Sequence, residues 1–397
     1  MSDRKAEIIV AGAGLGGLTL ALCLAREGLQ VTVLEQARAL GEVGAGVQIS
    51  ANGARVLHHL GLAERLAEIA FTPERGEIRH WQTGATLSTR PLGAGSLERF
   101  GFPYYHLHRA DLHAVLAAAL ETAAPDAIRL ARQVTGFTQS DDRVTVATVS
   151  GESYEADVLV GADGIHSTVR AGLFGPDEPR FTGCVAWRAL IPTARLPAGH
   201  VRPVASNWIG KGGHFVHYYV RAGALVNCVG VVERGQWLAE SWSTEGGRED
   251  FQADFRGWNG ALQVLIETAE RCFRWGLFDR EPMPRWTRGR VTLLGDACHP
   301  MLPFMAQGAV MALEDAYTLA RCLAVAGPAH RAALERYEAL RRERTAQVQQ
   351  MSRGNIAFFH NADADDLEKR LQRHRSTHLW LYGYDVTGLD FRHRASG

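Results

Sequence analysis

The chain has 397 residues, and its 43 lysines and arginines are balanced by 43 aspartates and glutamates. Interspersed charge with no net excess leaves no basic face for nucleic acid. The six cysteines, at 23, 184, 228, 272, 298 and 322, have neither metal-ligand spacing nor the pattern of a secreted scaffold, so a reducing, cytoplasmic setting is expected.

The first element is a strand through Ile8-Ile9-Val10, short, apolar and β-branched as in a buried parallel sheet. In the turn that follows, Gly12 permits the tight bend, Gly14 lets the backbone approach a pyrophosphate, and Gly16 lets the next helix pack closely. That helix, Gly16 to about Glu27, aims its free N–H groups at the phosphates, and Gly28 stands at the expected C-cap. A second strand, Gln30–Leu34, ends at Glu35, roughly 20 residues past the glycines, where a carboxylate can accept ribose hydroxyls. The apolar run from Ile8 to Ala25 is long enough to imitate a membrane span, but glycines in dinucleotide register argue against one.

A helix is predicted over about 51–70, then a turn-rich stretch to Phe102 with short strands near 76–81 and 85–89. Helix returns from Arg109 to about Thr122, and strands over 143–146 and 157–160 follow, the latter running into Gly161-Ala162-Asp163-Gly164. From Gly183 to about Phe278 alternation dominates, as in a mostly antiparallel sheet, with helix near Asp250–Glu270. A buried strand over 290–294 then ends in Gly295-Asp296, with a helix from about Ala306 to Cys322. The fold class is α/β: a Rossmann-like FAD-binding domain (1–75, 100–180, 282–360) with an inserted antiparallel substrate domain (76–99, 181–281) and C-terminal helices. The tail, 361–397, carries Trp380, Tyr382 and Tyr384 without a pattern that assigns it a role. An early glycine turn paired with a late strand–Gly–Asp–helix describes a long cofactor held at both ends, which points to FAD.

Gly12-Ala13-Gly14-Leu15-Gly16-Gly17, Gly161-Ala162-Asp163-Gly164 and Gly295-Asp296-Ala297-Cys298-His299-Pro300, in that order, resemble the single-component FAD-dependent aromatic hydroxylases. Similar enzymes act on salicylate, 3-hydroxybenzoate or 6-hydroxynicotinate. The resemblance implies that Gly12, Gly14, Gly16, Glu35 and Gln36 hold the AMP half of FAD. Val47, Gln48, Arg109, Val134, Asp163, Asp296, Gly308 and Ala309 are the other expected cofactor contacts. It further implies a cycle in which NADH or NADPH reduces FAD, O2 adds at flavin C4a, and the hydroperoxide delivers OH to the ring.

A phenolic proton leaves near pH 10 in water, so a nearby base favours attack. Strand alternation puts His214, Val216 and Tyr218 on one face, making His214 the expected base with Tyr218 beside it. His299 is read as structural. Pro303 matches a family proline near the oxygen-transfer zone, Phe304 is expected at the substrate, and Arg188 and Arg221 are candidates to hold a carboxylate. Gln48, Pro303 and Phe304 depart from one or another of the similar enzymes, which leaves the ring substrate open. The expected partner is a small aromatic acid, for a monomer or homodimer. A flavin oxidase or monooxygenase of larger natural products, and a flavin sensor without turnover, are the alternatives.

Overall fold

Five parallel strands form the nucleotide sheet in the computed structural model, which describes residues 7–41, 45–235, 245–363 and 365–392. The first six residues of the expected first domain and the last five of the tail lie outside the described residues. The sheet runs Val291–Leu293, Val158–Gly161, Glu7–Ala11, Gln30–Leu34, Ile128–Arg129, every pair parallel. Ile8, Ile9 and Val10 are fully buried, each burial worth roughly 1.5–3 kcal/mol before the entropy of ordering is subtracted.

The three motifs, far apart in sequence, touch one another here. A Cβ on Gly12 would lie 2.5 Å from the Ala162 carbonyl oxygen, and one on Gly16 would meet Leu294 and Ala312 at 2.7 and 3.1 Å. Gly16 therefore lets the glycine helix, Leu15–Arg26, press on the late helix, Gly308–Ala326, as well as on the end of the late strand. The close packing on the first strand falls to Gly17, whose Cβ would lie 2.0 Å from the Gly12 oxygen. Gly28, at φ +74°, ends the helix as expected.

Eight strands among the described residues build the second sheet, in the order Glu245–Gly246, Cys272–Asp279, Arg180–Pro192, Leu225–Glu233, Gly213–Val220, Ala205–Ile209, Arg75–His80, Thr86–Pro91. It is antiparallel except where Ala205–Ile209 meets Arg75–His80. Two expected helices are each broken in two. The first divides into Ala51–His59 and Ala63–Ile69 at Gly61, whose φ of +65° no helix accommodates. The second divides into Arg248–Asp254 and Gly260–Thr268 around Gly257, at φ +82°.

A buried ionic knot joins the late helix to the long helix His330–Phe359. Arg341 pairs with Glu314 and Asp315 at 2.7 Å each, and Arg344 grips Glu314 at 2.8 and 3.0 Å. His299 Nε2 lies 2.5 Å from Asp315 Oδ2, consistent with a structural role. Arg344 stacks 3.7 Å from the Tyr384 ring centroid, tying the tail to the same knot.

Candidate active site

Between the two sheets lies a cavity of about 340 Å³, within the range of small-ligand sites. Its nucleotide side presents Val47, Gln48, Arg109, Asp296, Gly308 and Ala309. Asp296 is the exposed residue in a run that is otherwise buried, its open surface facing the cavity. Although open to the cavity, it is enclosed by protein on all other sides, and this desolvation pushes its carboxyl above the usual range, with His299 and Arg109 opposing the rise. Gln48 accepts a hydrogen bond from the Tyr104 hydroxyl at 2.7 Å.

The glycine turn opens at the carboxyl end of the first strand. Glu35 turns its carboxylate back on this turn and accepts from the Ala13 and Ala37 amides at 2.7 and 2.8 Å. Gln36 is exposed at the same rim, and the chain leading to the buried Val134 runs alongside, with the Ala131 and Arg132 amides donating to the Ala37 and Glu35 carbonyls. These residues suit a dinucleotide. Around Gly14 a Cβ would meet no atom within 4 Å, so the space where a pyrophosphate would lie is open. Both the glycine helix and the late helix lack a side-chain cap and an acidic first turn, leaving their N–H groups for phosphate or cofactor oxygens. Asp163 lies outside the cavity lining. Its two oxygens accept from the Ser167 hydroxyl and the Val169 amide, capping the helix Thr168–Phe174.

The floor is the eight-stranded sheet, and its register sets one crosswise row of side chains: Arg188, Val229, Val216, Asn207, Ile78 and Ser88, all lining the cavity. Among the described residues Arg188 Nε is buried with no hydrogen-bond partner, and the guanidinium stacks 4.5 Å from the Trp275 ring centroid. Burial, with Arg109 adding to it, pushes its pKa down to about 10, so it stays cationic at neutral pH. Asn207 Oδ1, about three strand spacings (about 14 Å) along the row, is likewise buried and unpartnered.

His214 and Tyr218 both face the cavity with Val216 between them, as alternation requires. They are not neighbours, however: four residue steps along the strand separate them by about 13 Å. His214 is held by the Phe304 and Phe359 rings, at 4.9 and 5.1 Å, and its Nδ1 lies 2.9 Å from His360 Nε2. Burial, with His360 beside it, keeps this imidazole neutral well below the ordinary histidine range. Pro303 and Phe304 form the roof, fixed by the long helix, whose Gln349, Ser352 and Asn355 donate to the Pro300, Leu302 and Phe304 carbonyls.

Arg221 does not belong to this site. The chain turns left-handed at its φ of +52°, just past the strand end, and its guanidinium binds Asp111 at 2.8 and 2.9 Å, away from the cavity. The tail, by contrast, does reach it. The helix Leu367–Tyr382 closes one end with His374, His378 and Tyr382, and Arg90 donates to His378. Spacing of four residues puts the three on one helix face, a signal present in the sequence but unused.

Residues 5–352 match the FAD binding domain family. The chain belongs to that family. It is 40% identical over 397 residues to a 3-amino-4-hydroxybenzoate 2-monooxygenase from Streptomyces platensis, covering 99% of each. It is 37% identical to a 6-hydroxynicotinate 3-monooxygenase from Pseudomonas fluorescens, covering 97% of this chain and 96% of that one. A salicylate hydroxylase in complex with its substrate superposes with a TM-score of 0.84 at 27% identity, over 97% of both chains. The protein is an FAD-dependent aromatic monooxygenase that consumes reduced nicotinamide and O2. Among the described residues no helix is long and apolar enough to cross a membrane.

Proposed function

We propose that the protein hydroxylates the ring of a small phenolic or hydroxypyridine carboxylic acid bound between Arg188 and His214. The observation that carries this reading is the Arg188 guanidinium. It faces the cavity with its Nε shielded, and no carboxylate of the described residues pairs with it. A shielded cation without a counter-ion is costly unless a ligand supplies one. A substrate carboxylate does so through charge-assisted hydrogen bonds.

The register places Arg188 two strands, about 10 Å, from Val216, midway between His214 and Tyr218. A single ring anchored by its carboxylate at Arg188 can therefore present a ring hydroxyl toward either end of the histidine strand. We assign His214 as the group that takes the hydroxyl proton, with Tyr218 bounding the opposite end. Losing that proton pushes charge onto the ortho and para carbons, the positions an electrophilic oxygen attacks. Asp296, Arg109 and the open start of the late helix would hold FAD, with Glu35 and Gly14 at its AMP half. FAD, when bound and reduced by the nicotinamide, would supply the electrons that activate O2, the source of the transferred oxygen. Pro303 and Phe304, gripped by the long helix, keep water from the transfer zone. The names of the two relatives, an aminohydroxybenzoate and a hydroxynicotinate enzyme, support a ring of this size.

The deciding experiment follows NADH and NADPH oxidation by the FAD-loaded protein against hydroxybenzoates, aminohydroxybenzoates and hydroxynicotinates, with product analysis. The expected outcome is stimulation by at least one acid with a matching hydroxylated product. If no such acid stimulates oxidation while a larger aromatic compound does, the assignment of Arg188 as carboxylate anchor is wrong.

A further inference from the structure

His214 is 2% exposed, and so is the side chain of His360 behind it, whereas the Glu233 side chain beyond is 54% exposed. His214 Nδ1 is 2.9 Å from His360 Nε2, and His360 Nδ1 is 2.8 Å from Glu233 Oε1. The three groups come from two strands and the end of the long helix, and together they run unbroken from cavity to solvent.

Chemistry fixes the direction of this line. An ionised Glu233 can only accept, so His360 Nδ1 carries a proton. Neutral His360 then has its lone pair at Nε2, so His214 Nδ1 carries the next proton. That leaves the lone pair of His214 at Nε2, which no side chain or backbone group of the described residues engages. Every N–H along the line points outward. We propose that His214, His360 and Glu233 form a proton exit that carries the substrate's ring-hydroxyl proton from the cavity to the surface. The proposal rests on the reading of His214 as the proton acceptor.

The balance is simple. The substrate O–H bond breaks as an N–H bond forms at His214 Nε2. The His214 Nδ1–H proton passes to His360 Nε2, the His360 Nδ1–H proton passes to Glu233, and water collects it there. No electrons change hands. Both imidazoles end neutral in the opposite tautomer, and reverse passage of a proton resets them. Such a path also answers a difficulty in the site. His214, held neutral by burial, is a poor store for a proton but suits a group that hands one on. His360 is likewise lowered by burial, partly offset by Glu233.

Few other charges compete. Around His214 stand Phe304, Phe359 and His360. His374 touches the Phe359 ring rather than either imidazole of the line. At the surface, Lys211, Arg234 and Asp254 share a hollow with Glu233, with Arg234 paired to Asp254, and Cys184 lies near Glu233 from the neighbouring strand.

The test mixes FAD-loaded, full-length enzyme with 6-hydroxynicotinate or 4-hydroxybenzoate in dilute buffer. It follows ring-hydroxyl ionisation by ultraviolet absorbance and proton release by a pH indicator. His360→Gln should slow ionisation at least tenfold with ligand affinity unchanged, and added imidazole should restore it. Glu233→Gln, a surface change that spares the fold, should slow proton release in dilute buffer and recover as buffer concentration rises. Ionisation at the parental rate in His360→Gln, with His214→Gln blocked, would remove the exit while leaving His214 as base. Slowing with lost affinity and no rescue by imidazole would make His360 merely structural and overturn the proposal. Hydroxylation by a parent enzyme that never ionises its ligand would overturn both the exit and the base, leaving only the substrate class.

Discussion

Arg188 carries its charge in a wall where no carboxylate of the described residues pairs with it, so its removal should separate binding from stability. Arg188→Leu is expected to raise KM for the acid about tenfold to a hundredfold, the loss of about 1.5–3 kcal/mol for hydrogen bonds to a charged group. The same variant should melt no lower than the parent, because a desolvated cation is removed and no ion pair is broken. Steady-state kinetics and thermal unfolding check the two halves. Arg188 was visible in the sequence only as one of two candidates. What separates it from Arg221 is backbone handedness: the strand continues through Arg188, whereas the chain leaves the sheet at Arg221 with positive φ. His214 was more legible, because period-two alternation fixes which face a strand residue takes. Asn207 and His360 carried no local signal. They matter only through partners 9 and 146 residues away in the chain, Val216 by sheet pairing and His214 by hydrogen bond respectively.

At the scale of elements, the glycines of the first turn have different duties that substitution should separate. Gly14 has an ordinary φ of −68° and open space about its missing Cβ. Gly14→Ala should therefore fold with parental stability yet purify without flavin absorbance, because the methyl occupies the space a pyrophosphate needs. Gly17 backs directly onto the Gly12 carbonyl, so Gly17→Ala should fail to accumulate as folded protein. Circular dichroism and flavin absorbance of the two variants distinguish these outcomes. The strand–turn–helix itself was legible to within a residue because its periodicity and glycine spacing agree. The contact between its helix and the late helix was not, since nothing local encodes it.

The ionic knot was equally hidden, because Glu314 and Asp315 lie on one helix and Arg341 and Arg344 on the next. Burial alone would raise the Glu314 carboxyl, but Arg344 and Arg341 outweigh it and hold it below the ordinary range. Glu314→Ala strands Arg344 in the interior and leaves Arg341 only Asp315, and should cost about 3–5 kcal/mol by urea unfolding. A double replacement of Glu314 and Arg344 should cost less than the sum of the single changes.

For the whole molecule, the buried histidines set the response to acid. Burial, reinforced by Arg90 or Arg79, lowers His106, His217 and His374 from 6.5 to about 3. In this case the unfolded chain binds more protons than the folded one between those limits, so stability rises with pH there. Unfolding free energy should therefore fall as pH drops below about 6.5 and continue falling toward 3. Glu314 and Asp315, held low by their arginine and histidine partners against burial, add to the loss once pH falls below the ordinary carboxylate range. Urea midpoints across that range test the sign: a midpoint that stays flat or rises on acidification would contradict it. The layout of a parallel nucleotide sheet beside an antiparallel platform was readable from element order. The enclosure of the cavity by the tail was not, because one amphipathic helix does not name the surface it covers.

The order of strands in the parallel sheet also governs synthesis. Its edge strand, Val291–Leu293, and the helix that follows Asp296 emerge only after most of the chain has been made, whereas much of the antiparallel platform pairs among near neighbours in sequence. Contacts close in sequence form first, and those spanning almost the whole chain form last. The growing polypeptide thus carries an early glycine turn that has nothing to grip with until its far end arrives. Flavin uptake should therefore depend on length: a chain truncated before the late helix is expected to purify colourless, and the full one yellow.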